Sequence, residues 1–322
     1  MAIVGIDVGT QSLKVVITDD ELGVRARASR SYSVRTPQPG WAEQDPHDWE
    51  RALGPAVAEA LARGRVAPDE VQAIGVSGQL DGCLGVTAEG EPVTPCIIWF
   101  DRRASELIPA WLTGDGADEF LQRTGVIADA THMAPKIRWL ESHAAGAVRY
   151  HQPVSYLVER LTGSYVFDHG LASTTMLYAL APRDFDDDLL ERFAIARDRL
   201  PAIADACDTA GELSVHGAGV TGLRPGTPVA VGTGDDFATP LGAGLVGPGT
   251  LACVLGTGEV VGALSESAVL DRRGLVETHC YANQCFFIEN PGWLSGGAMA
   301  WLSRLLAERD FSALDAAAAA AP

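Results

Sequence analysis

Two adjacent carboxylates, Asp235 and Asp236, are the residues best placed by type and spacing to do chemistry. They follow Gly232 and Gly234 directly, and glycine lets a backbone approach a ligand closely or take a positive φ. A second glycine turn, Gly-Thr-Gly at 256–258, comes shortly afterwards. Acidic residues at a helix start are also typical of ordinary helix capping, because the helix dipole favours them. Taken alone, the stretch fits a helix cap and a ligand site equally well.

A second polar turn lies near the N-terminus. Asp7 ends a predicted strand of Ile and Val over residues 2–7, and residues 9–12 (Gly-Thr-Gln-Ser) follow with backbone N–H groups and two hydroxyls. Lys14 lies just beyond this turn. Such a turn can cradle phosphate, while a carboxylate can hold a hydrated Mg²⁺ ion. The alternative is a plain hairpin whose Asp and Thr side chains bond their own turn.

The strand–turn–strand pattern of the N-terminus recurs later in the chain. Strands are predicted over residues 2–7, 14–19 and 24–34, and again over 251–255 and 259–264 around the second Gly-Thr turn. An internal repeat of this kind is a fold-level signal. It predicts two related domains whose Gly-Thr turns face a shared cleft and could grip one polyphosphate from both sides.

Two further predicted strands end in polar residues. Residues 71–77 run into Gln79, Leu80 and Asp81, and residues 95–100 run into Asp101. Side chains at the carboxyl ends of strands in open α/β sheets are common ligand positions, although Asp101 could instead cap the next helix. Helices are predicted to begin after Asp45 and to occupy much of residues 106–112, 134–141, 154–161, 182–208 and 298–308.

Composition limits the classes of partner. The 322 residues are 47% hydrophobic and 20% charged, as in a globular protein, and the formal net charge is -18. So acidic a chain repels nucleic acid and anionic membranes, and no apolar run is long enough to span a bilayer. The six cysteines show no CxxC pair and are expected to be free thiols in a reducing cytoplasm. A metal site at His279, Cys280 and Cys285 is a minor alternative.

The ordered motifs resemble the FGGY family of carbohydrate kinases, within the actin, Hsp70 and hexokinase superfamily, and above all its xylulokinase-like branch. They cover nearly the whole chain in the family's order: GIDVGTQSLKVVITD, GWAEQDPHDW, GVSGQLDG, IIWFDRR, ERLTGSYVFDHGLAST, GLRPGTPVAVGTGDDFATPLGAG and LGTGEVV. The resemblance implies an α/β fold made of a ribonuclease H-like, actin-like ATPase domain pair, each with a mixed sheet of the five-stranded type flanked by helices. Residues 1–240 would form the sugar-binding domain and residues 241–322 part of the ATP-binding domain. Family members are considerably longer, so the second domain is expected to be incomplete.

The resemblance also implies an activity, the transfer of the γ-phosphoryl group of ATP to a hydroxyl of a ketose such as xylulose. Asp235 would be the catalytic base, expected to be ionised because it starts a helix, and Asp7 would serve Mg²⁺. The phosphates of ATP would be held by Gly9, Thr10, Gln11, Ser12, Lys14, Gly256, Thr257 and Gly258. The acceptor would lie against Gln79, Leu80, Asp81, Asp101 and Asp236.

Two departures from the xylulokinase pattern fall where the sugar is expected. That pattern has Gln-Met-His-Gly where this chain has Gln-Leu-Asp-Gly at 79–82, and Trp-Asn-Asp where this chain has Trp-Phe-Asp at 99–101. The Asp accepts hydroxyl protons where a His can donate, and it resembles polyol-kinase relatives such as erythritol kinases. A tetritol or pentitol kinase, a truncated sugar-binding fragment without catalysis, and a superfamily ATPase without a sugar substrate are therefore the alternatives. A cytoplasmic homodimer is a further expectation.

Overall fold

The computed structural model describes residues 1–109, 112, 115–256, 258–292, 295–308 and 310–321. The helices in this part of the chain are α1 (Pro46–Gly64), α2 (Asp115–Thr124), α3 (Met133–His143), α4 (Pro153–Thr162), α5 (His169–Ser173), α6 (Asp187–Arg192), α7 (Val215–Thr221), α8 (Asp235–Gly242), α9 (Gly296–Leu306) and α10 (Phe311–Ala319). Single 3₁₀ turns occupy Pro68–Glu70, Ser105–Leu107, Arg197–Arg199 and Ala282–Gln284. None of these helices combines the length and the apolar character needed to cross a membrane.

The strands are short except in the two main sheets. They are β1 (Ala2–Val8), β2 (Ser12–Thr18), β3 (Val24–Ser31), β4 (Glu43–Gln44), β5 (Val71–Gly78), β6 (Leu84–Val86), β7 (Cys96–Ile97), β8 (Arg149–His151), β9 (Val166–Asp168), β10 (Tyr178–Ala179), β11 (Asp184–Phe185), β12 (Ala202–Ala204), β13 (Thr209–Glu212), β14 (Pro228–Ala230), β15 (Thr233–Gly234), β16 (Leu251–Leu255), β17 (Glu259–Ser265), β18 (Glu277–Cys280) and β19 (Phe286–Gly292).

The first sheet is mixed, with strands in the order β13-β14-β5-β1-β2-β3 and β15 also pairing with β5. β1, β2 and β3 form the expected antiparallel meander, while β5 runs parallel to β1, and β14 and β15 run parallel to β5. The five strands β3-β2-β1-β5-β14 are the mixed five-stranded sheet that the sequence predicts. The short strands β13 and β15 extend it to seven.

Helix α1 covers one face of this sheet. Every second residue of β1 is buried, which is the two-residue period of a strand with one face on the core. The buried stripe of α1 includes Trp49, Leu53, Val57 and Leu61 and packs against β2 and β3. The helix starts as predicted: Asp45 is the N-cap, its carboxylate accepts from His47 N–H, and proline occupies the first turn. This packing holds the loops at the ends of the strands in place.

The second sheet is antiparallel, with strands in the order β16-β17-β19-β18. β16 and β17 form a hairpin around the second Gly-Thr turn, as the internal repeat predicts. Within the described residues this sheet has four strands and is not mixed. All three neighbouring pairs of strands are antiparallel. A parallel pair would require a longer crossover connection.

Some local predictions were wrong. The predicted strand over 95–100 is reduced to β7, and the helical region predicted over 182–208 holds only α6, with β11, β12 and a 3₁₀ turn beside it. Arg183 and Ala194 adopt positive φ, of 55° and 51°, which a continuous helix cannot contain. Four helices, α2, α5, α7 and α10, were not predicted at their observed positions.

Candidate active site

A cavity of about 610 Å³ lies between residues of the two sheets. It is lined by nearly all the residues that the sequence analysis singled out, namely Asp7, Gly9, Thr10, Gln11, Ser12, Lys14, Gln79, Leu80, Asp81, Asp235, Asp236, Gly256 and Gly258. Thr257 lies outside the described residues. Other lining residues, among them His132, Glu277, His279 and Glu289, were not expected there.

Parallel strand pairing brings the first group of residues together. Asp7 on β1 and Thr233 on β15 are both in register with Ser77 on β5. The carboxyl ends of these strands therefore meet at one edge of the sheet, where ligands of open α/β folds commonly bind. The chain continues from that edge into residues 79–81 after β5 and into Asp235 after β15.

The turn at residues 9–12 is held from several sides. The hydroxyl of Tyr32 donates to Gly9 O at 2.5 Å, and Gln44 Nε2 donates to Thr10 O at 2.6 Å. Trp99 Nε1 donates to Thr10 Oγ1 at 3.0 Å. Gln79 is tied to the same group, since its Nε2 donates to Gln44 Oε1 at 2.7 Å. The turn is therefore preorganised rather than free to collapse around a ligand.

Asp7 lies at the edge of the cavity beside this turn. Lys14 Nζ donates to Asp7 Oδ2 at 2.8 Å, and Ser77 Oγ donates to Asp7 Oδ1 at 3.3 Å. No group of three His, Cys, Asp or Glu side chains in the described residues is arranged to hold a metal ion. Mg²⁺ usually keeps several waters and takes only one or two carboxylates, so the Asp7 carboxylate by itself is compatible with that ion.

Asp235 and Asp236 form the first turn of α8, directly after β15. Gly232 has a φ of 76°, and a Cβ on Gly234 would lie 2.0 Å from Leu80 Cδ2, so both glycines are needed for the chain to reach the cavity this way. Burial, followed by the charge of Asp7, raises the pKa of Asp235 to about 7. The expectation that the helix start alone would keep Asp235 ionised is therefore wrong, because burial outweighs the helix dipole.

The pKa of Asp236 is also raised well above its usual value. Burial is the main cause, and the negative charges of Asp235 and Glu289 add to it. Two adjacent carboxyl groups in one buried pocket disfavour double ionisation. One of the pair can therefore act as a proton acceptor near neutral pH while the other carries a proton and donates a hydrogen bond.

Asp101 does not line the cavity, which corrects its expected place against the acceptor. Its side chain is fully buried and forms a two-pronged ion pair with Arg103, with contacts of 2.8 to 3.0 Å. It also accepts from Ala42 N–H. Arg103 in turn lies 3.9 Å above the ring of Trp41. Asp101 therefore holds the loop before α1 in place. From the sequence, its position after a predicted strand fitted this structural role and a role in binding the acceptor equally well.

Five side chains from both sheets form a continuous row along one side of the cavity, here called the polar wall: Asp81, His132, Glu277, His279 and Glu289. The nitrogens of His132 lie 3.3 Å from Asp81 Oδ2 and 3.7 Å from Glu277 Oε1. His279 Nε2 lies 3.5 Å from Glu277 Oε2 and 3.0 Å from Glu289 Oε1. Glu277 and Glu289 are paired across β18 and β19, so like charges would meet there without the imidazole between them.

The imidazole rings of the polar wall are held protonated. Burial opposes protonation, but hydrogen bonds and charge from Glu277 and Glu289 outweigh it and raise the pKa of His279 to about 10. Asp81 and Glu277 likewise outweigh burial and raise the pKa of His132. The two rings in turn lower the pKa of Glu277 far below its usual value, against the effect of burial. The polar wall is therefore a set of buried ion pairs.

The polar wall was missed at the level of sequence, although one signal was present. Glu277 and His279 alternate in a short strand, and every residue of that strand is buried. The metal site considered for His279 with Cys280 and Cys285 does not form: Cys280 Sγ donates to Tyr178 Oη at 3.4 Å, and His279 is engaged by carboxylates. Ionisable residues at every second position of this strand, Glu277 and His279, would have indicated one face turned to a ligand.

Comparison with known proteins agrees with this geometry. The family model for the N-terminal domain of the FGGY family of carbohydrate kinases matches residues 2–242. Xylulose kinase from Streptomyces coelicolor is 35% identical over 279 residues, covering 85% of this chain and 56% of the relative. Glycerol kinase from Thermococcus kodakarensis is 28% identical over 312 residues, covering 93% of this chain and 61% of the relative.

Among solved structures, xylulose kinase from Rhodospirillum rubrum superposes with a TM-score of 0.90 at 26% identity. That match covers 100% of this chain and 67% of the other. The chain therefore spans about 60% of the length of the curated relatives that it matches.

A mixed sheet and a second sheet that share a cleft lined by glycine turns and carboxylates define the class of actin-like ATPase folds. Within that class, the chain belongs to the FGGY family of carbohydrate kinases. The family predicted from the ordered motifs is thus confirmed.

Proposed function

We propose that the protein is an ATP-dependent carbohydrate kinase that transfers the γ-phosphoryl group to a hydroxyl of a ketose such as xylulose or of a related polyol. The observation that carries the proposal is the meeting of Asp235, the turn at residues 9–12 and the polar wall on one cavity. A nucleotide-dependent switch without an acceptor has no need of the polar wall. Family membership and relatives named xylulose kinase and glycerol kinase support the same class of reaction.

Asp235 is the proposed general base. A base works best when its pKa lies near the operating pH, and burial with the Asp7 charge brings the pKa of Asp235 to about 7. Its carboxylate accepts the proton of the attacking hydroxyl, whose oxygen approaches the γ-phosphorus in line. Asp236 and the polar wall hold the rest of the acceptor and keep bulk water, the competing nucleophile, out of the cavity.

The phosphate end of the cavity is assigned to the two glycine turns. Residues 9–12 offer a preorganised turn, and Lys14 adds a cation beside Asp7. Gly256 and Gly258 lie between β16 and β17 of the second sheet, and Gly256 N–H donates to Gly258 O at 2.8 Å. Mg²⁺ held near Asp7 would neutralise phosphate charge.

We propose that acceptor binding and ATP binding are divided between the two parts of the chain that carry the two sheets. Residues 1–240 carry the acceptor side, with Gln79, Leu80, Asp81 and Asp236 on the cavity. Residues 241–322 contribute the second glycine turn and part of the polar wall, and belong to the ATP-binding side. A cytoplasmic enzyme that works as a homodimer completes the proposal.

Asp81 favours a polyol as the second candidate acceptor. A carboxylate at this position accepts protons from hydroxyls and does not need a carbonyl on the substrate. Its side chain lines the cavity next to His132. A tetritol or pentitol is therefore tested alongside the ketopentoses.

The test is coupled detection of ADP release by the protein over a panel of ketopentoses, tetritols and pentitols. Asp235→Asn is expected to lower acceptor-dependent turnover by about 10²–10⁴-fold while leaving the fold intact, because a placed base typically contributes that much. Asp118→Asn, at an exposed position on α2, is the matched control and should retain turnover. Near-normal turnover by Asp235→Asn, or ADP release that no acceptor stimulates, would contradict the proposal.

A further inference from the structure

We propose that the polar wall receives the non-reacting hydroxyls of the acceptor and selects a neutral polyhydroxy chain over the same chain bearing a carboxylate. The inference rests on the proposed kinase function and assigns the substrate class of the same cavity. It gives His132, Glu277, His279 and Glu289 a role in specificity. According to this inference, residues from both sheets recognise the acceptor, and not residues of the first sheet alone.

The polar wall contains buried polar atoms that lack a hydrogen-bond partner among the described residues. Three are acceptors, namely Gln79 Oε1 next to the wall, Asp81 Oδ1 and Glu289 Oε2. Two are ring nitrogens, namely His279 Nδ1 and His132 Nδ1, the latter 3.3 Å from Asp81 Oδ2. Gln79, His279 and Glu289 are all at least nine-tenths buried, and all line the cavity. Buried polar atoms without partners are costly, so their concentration on one cavity indicates a ligand that satisfies them.

The unpaired atoms include both kinds of hydrogen-bonding group. The oxygens of Asp81 and Glu289 require a donor, whereas the protonated ring of His279 presents an N–H that requires an acceptor. A hydroxyl group donates and accepts at once, so a chain of hydroxyls can satisfy the whole set. A carboxylate only accepts and would leave the carboxylate oxygens of the polar wall unpaired.

The charge of the polar wall acts in the same direction. Three carboxyl groups face two imidazole rings, and each ring already lies between two carboxylates. A further anion on the acceptor would meet this excess of negative charge in a water-poor site, where like charges repel strongly.

Hydrogen bonds to neighbouring residues fix the position of the Asp81 end of the polar wall. Asp81 has a φ of 56°, a backbone conformation that Asp tolerates better than most residues. Its N–H donates to Gln152 Oε1 at 2.9 Å, and its carbonyl accepts from Lys136 Nζ at 2.5 Å. Lys136, also fully buried, donates to the carbonyl of Thr131 as well and so ties Asp81 to the segment that carries His132.

The second sheet is joined to the first at the same place. Ile127 N–H donates to Glu277 Oε1 at 2.9 Å, and Thr278 N–H donates to Gly125 O at 2.9 Å. Glu277 and His279 are therefore held against the segment after α2 before any acceptor arrives. An acceptor on the polar wall would contact both sheets and hold the cleft closed around the reacting hydroxyl.

The experiment compares a pentitol with the aldonate of the same configuration, which differs only in a terminal carboxylate. ADP release by the protein gives kcat/KM for each, and calorimetry with this chain gives binding of each without turnover. The pentitol is expected to exceed the aldonate by about 10²-fold or more, because unpaired buried polar groups reject a mismatched ligand strongly. Equal use of the two compounds would overturn the inference while leaving the kinase proposal in place.

Glu289→Gln then tests the wall itself. It keeps the size of the side chain, removes one negative charge and is expected to raise the pentitol KM about tenfold, with a smaller change in kcat, and to narrow the preference against the aldonate. Glu266→Gln, in the exposed loop after β17, is the matched control. An unchanged preference in a folded Glu289→Gln variant would overturn the inference.

The calorimetric measurement of binding distinguishes the polar-wall inference from the proposed kinase function. Selective binding of the pentitol without any acceptor-dependent ADP release would support the polar-wall inference and overturn the kinase function. Binding of neither compound, together with no ADP release, would overturn both. The wild-type comparison stands by itself if the Glu289 variant does not fold.

Discussion

His279 offers the sharpest test of the electrostatics of the polar wall. It lies between Glu277 and Glu289, its side chain is 2% exposed, and its pKa is raised from 6.5 to about 10. A group whose pKa is raised on folding contributes stability that is fully present below the unfolded-state pKa and is lost as the pH rises through the folded-state pKa. For His279 this window runs from 6.5 to about 10.

The magnitude follows from the size of the shift. At about 1.4 kcal/mol for each pKa unit, a shift from 6.5 to about 10 corresponds to roughly 5 kcal/mol over the whole window. Between pH 7 and pH 9 the linkage predicts a loss of about 2–3 kcal/mol in the free energy of unfolding from this one group. That loss should be absent in His279→Gln, which cannot be protonated.

The assay is urea unfolding of the wild type and of His279→Gln at several pH values from 7 to 9. The variant is expected to be about 3–5 kcal/mol less stable at pH 7, because two buried carboxylates lose their shared cation. The two stability curves should converge as the pH rises. His216→Gln, at an exposed position on α7, is the control and should follow the wild type. Parallel curves for wild type and His279→Gln would refute a protonated imidazole in the folded protein.

The contacts of two other buried cations, Lys136 and Arg103, lead to two further predictions. Lys136→Met should lower the free energy of unfolding by about 2 kcal/mol and raise the acceptor KM, because the carbonyls of Asp81 and Thr131 lose their donor. A KM equal to that of the wild type would show that the position of Asp81 does not depend on this lysine. Asp101→Asn should destabilise the protein by about 3 kcal/mol in urea unfolding, because it removes the charge that pairs with the buried Arg103. Loss of acceptor selectivity without loss of stability would contradict the structural role of Asp101.

Much of the phosphate end of the site could be predicted from sequence because its residues are close along the chain. The strand, the Gly-Thr turn and the returning strand near Asp7 are local signals, and so is the glycine-flanked pair at Asp235. Parallel strands then bring the two segments together through a simple rule, since their carboxyl ends meet at one edge of the sheet. The internal repeat predicted the second glycine turn in the same way.

Tertiary structure alone decided the polar wall and the state of the carboxylates. His132 meets Glu277 only because the segment after α2 packs against β18, and Glu277 faces Glu289 only through the register of β18 and β19. His132 and Glu277 are far apart in sequence, and the meeting of Glu277 with Glu289 depends on the exact register of β18 and β19, so no single segment predicts either contact. Burial likewise raised the pKa of Asp235 and placed Asp101 in an ion pair away from the cavity. The sequence by itself determined which residues could do chemistry near each turn, whereas desolvation and long-range pairing decided which of them share a site and which carry charge.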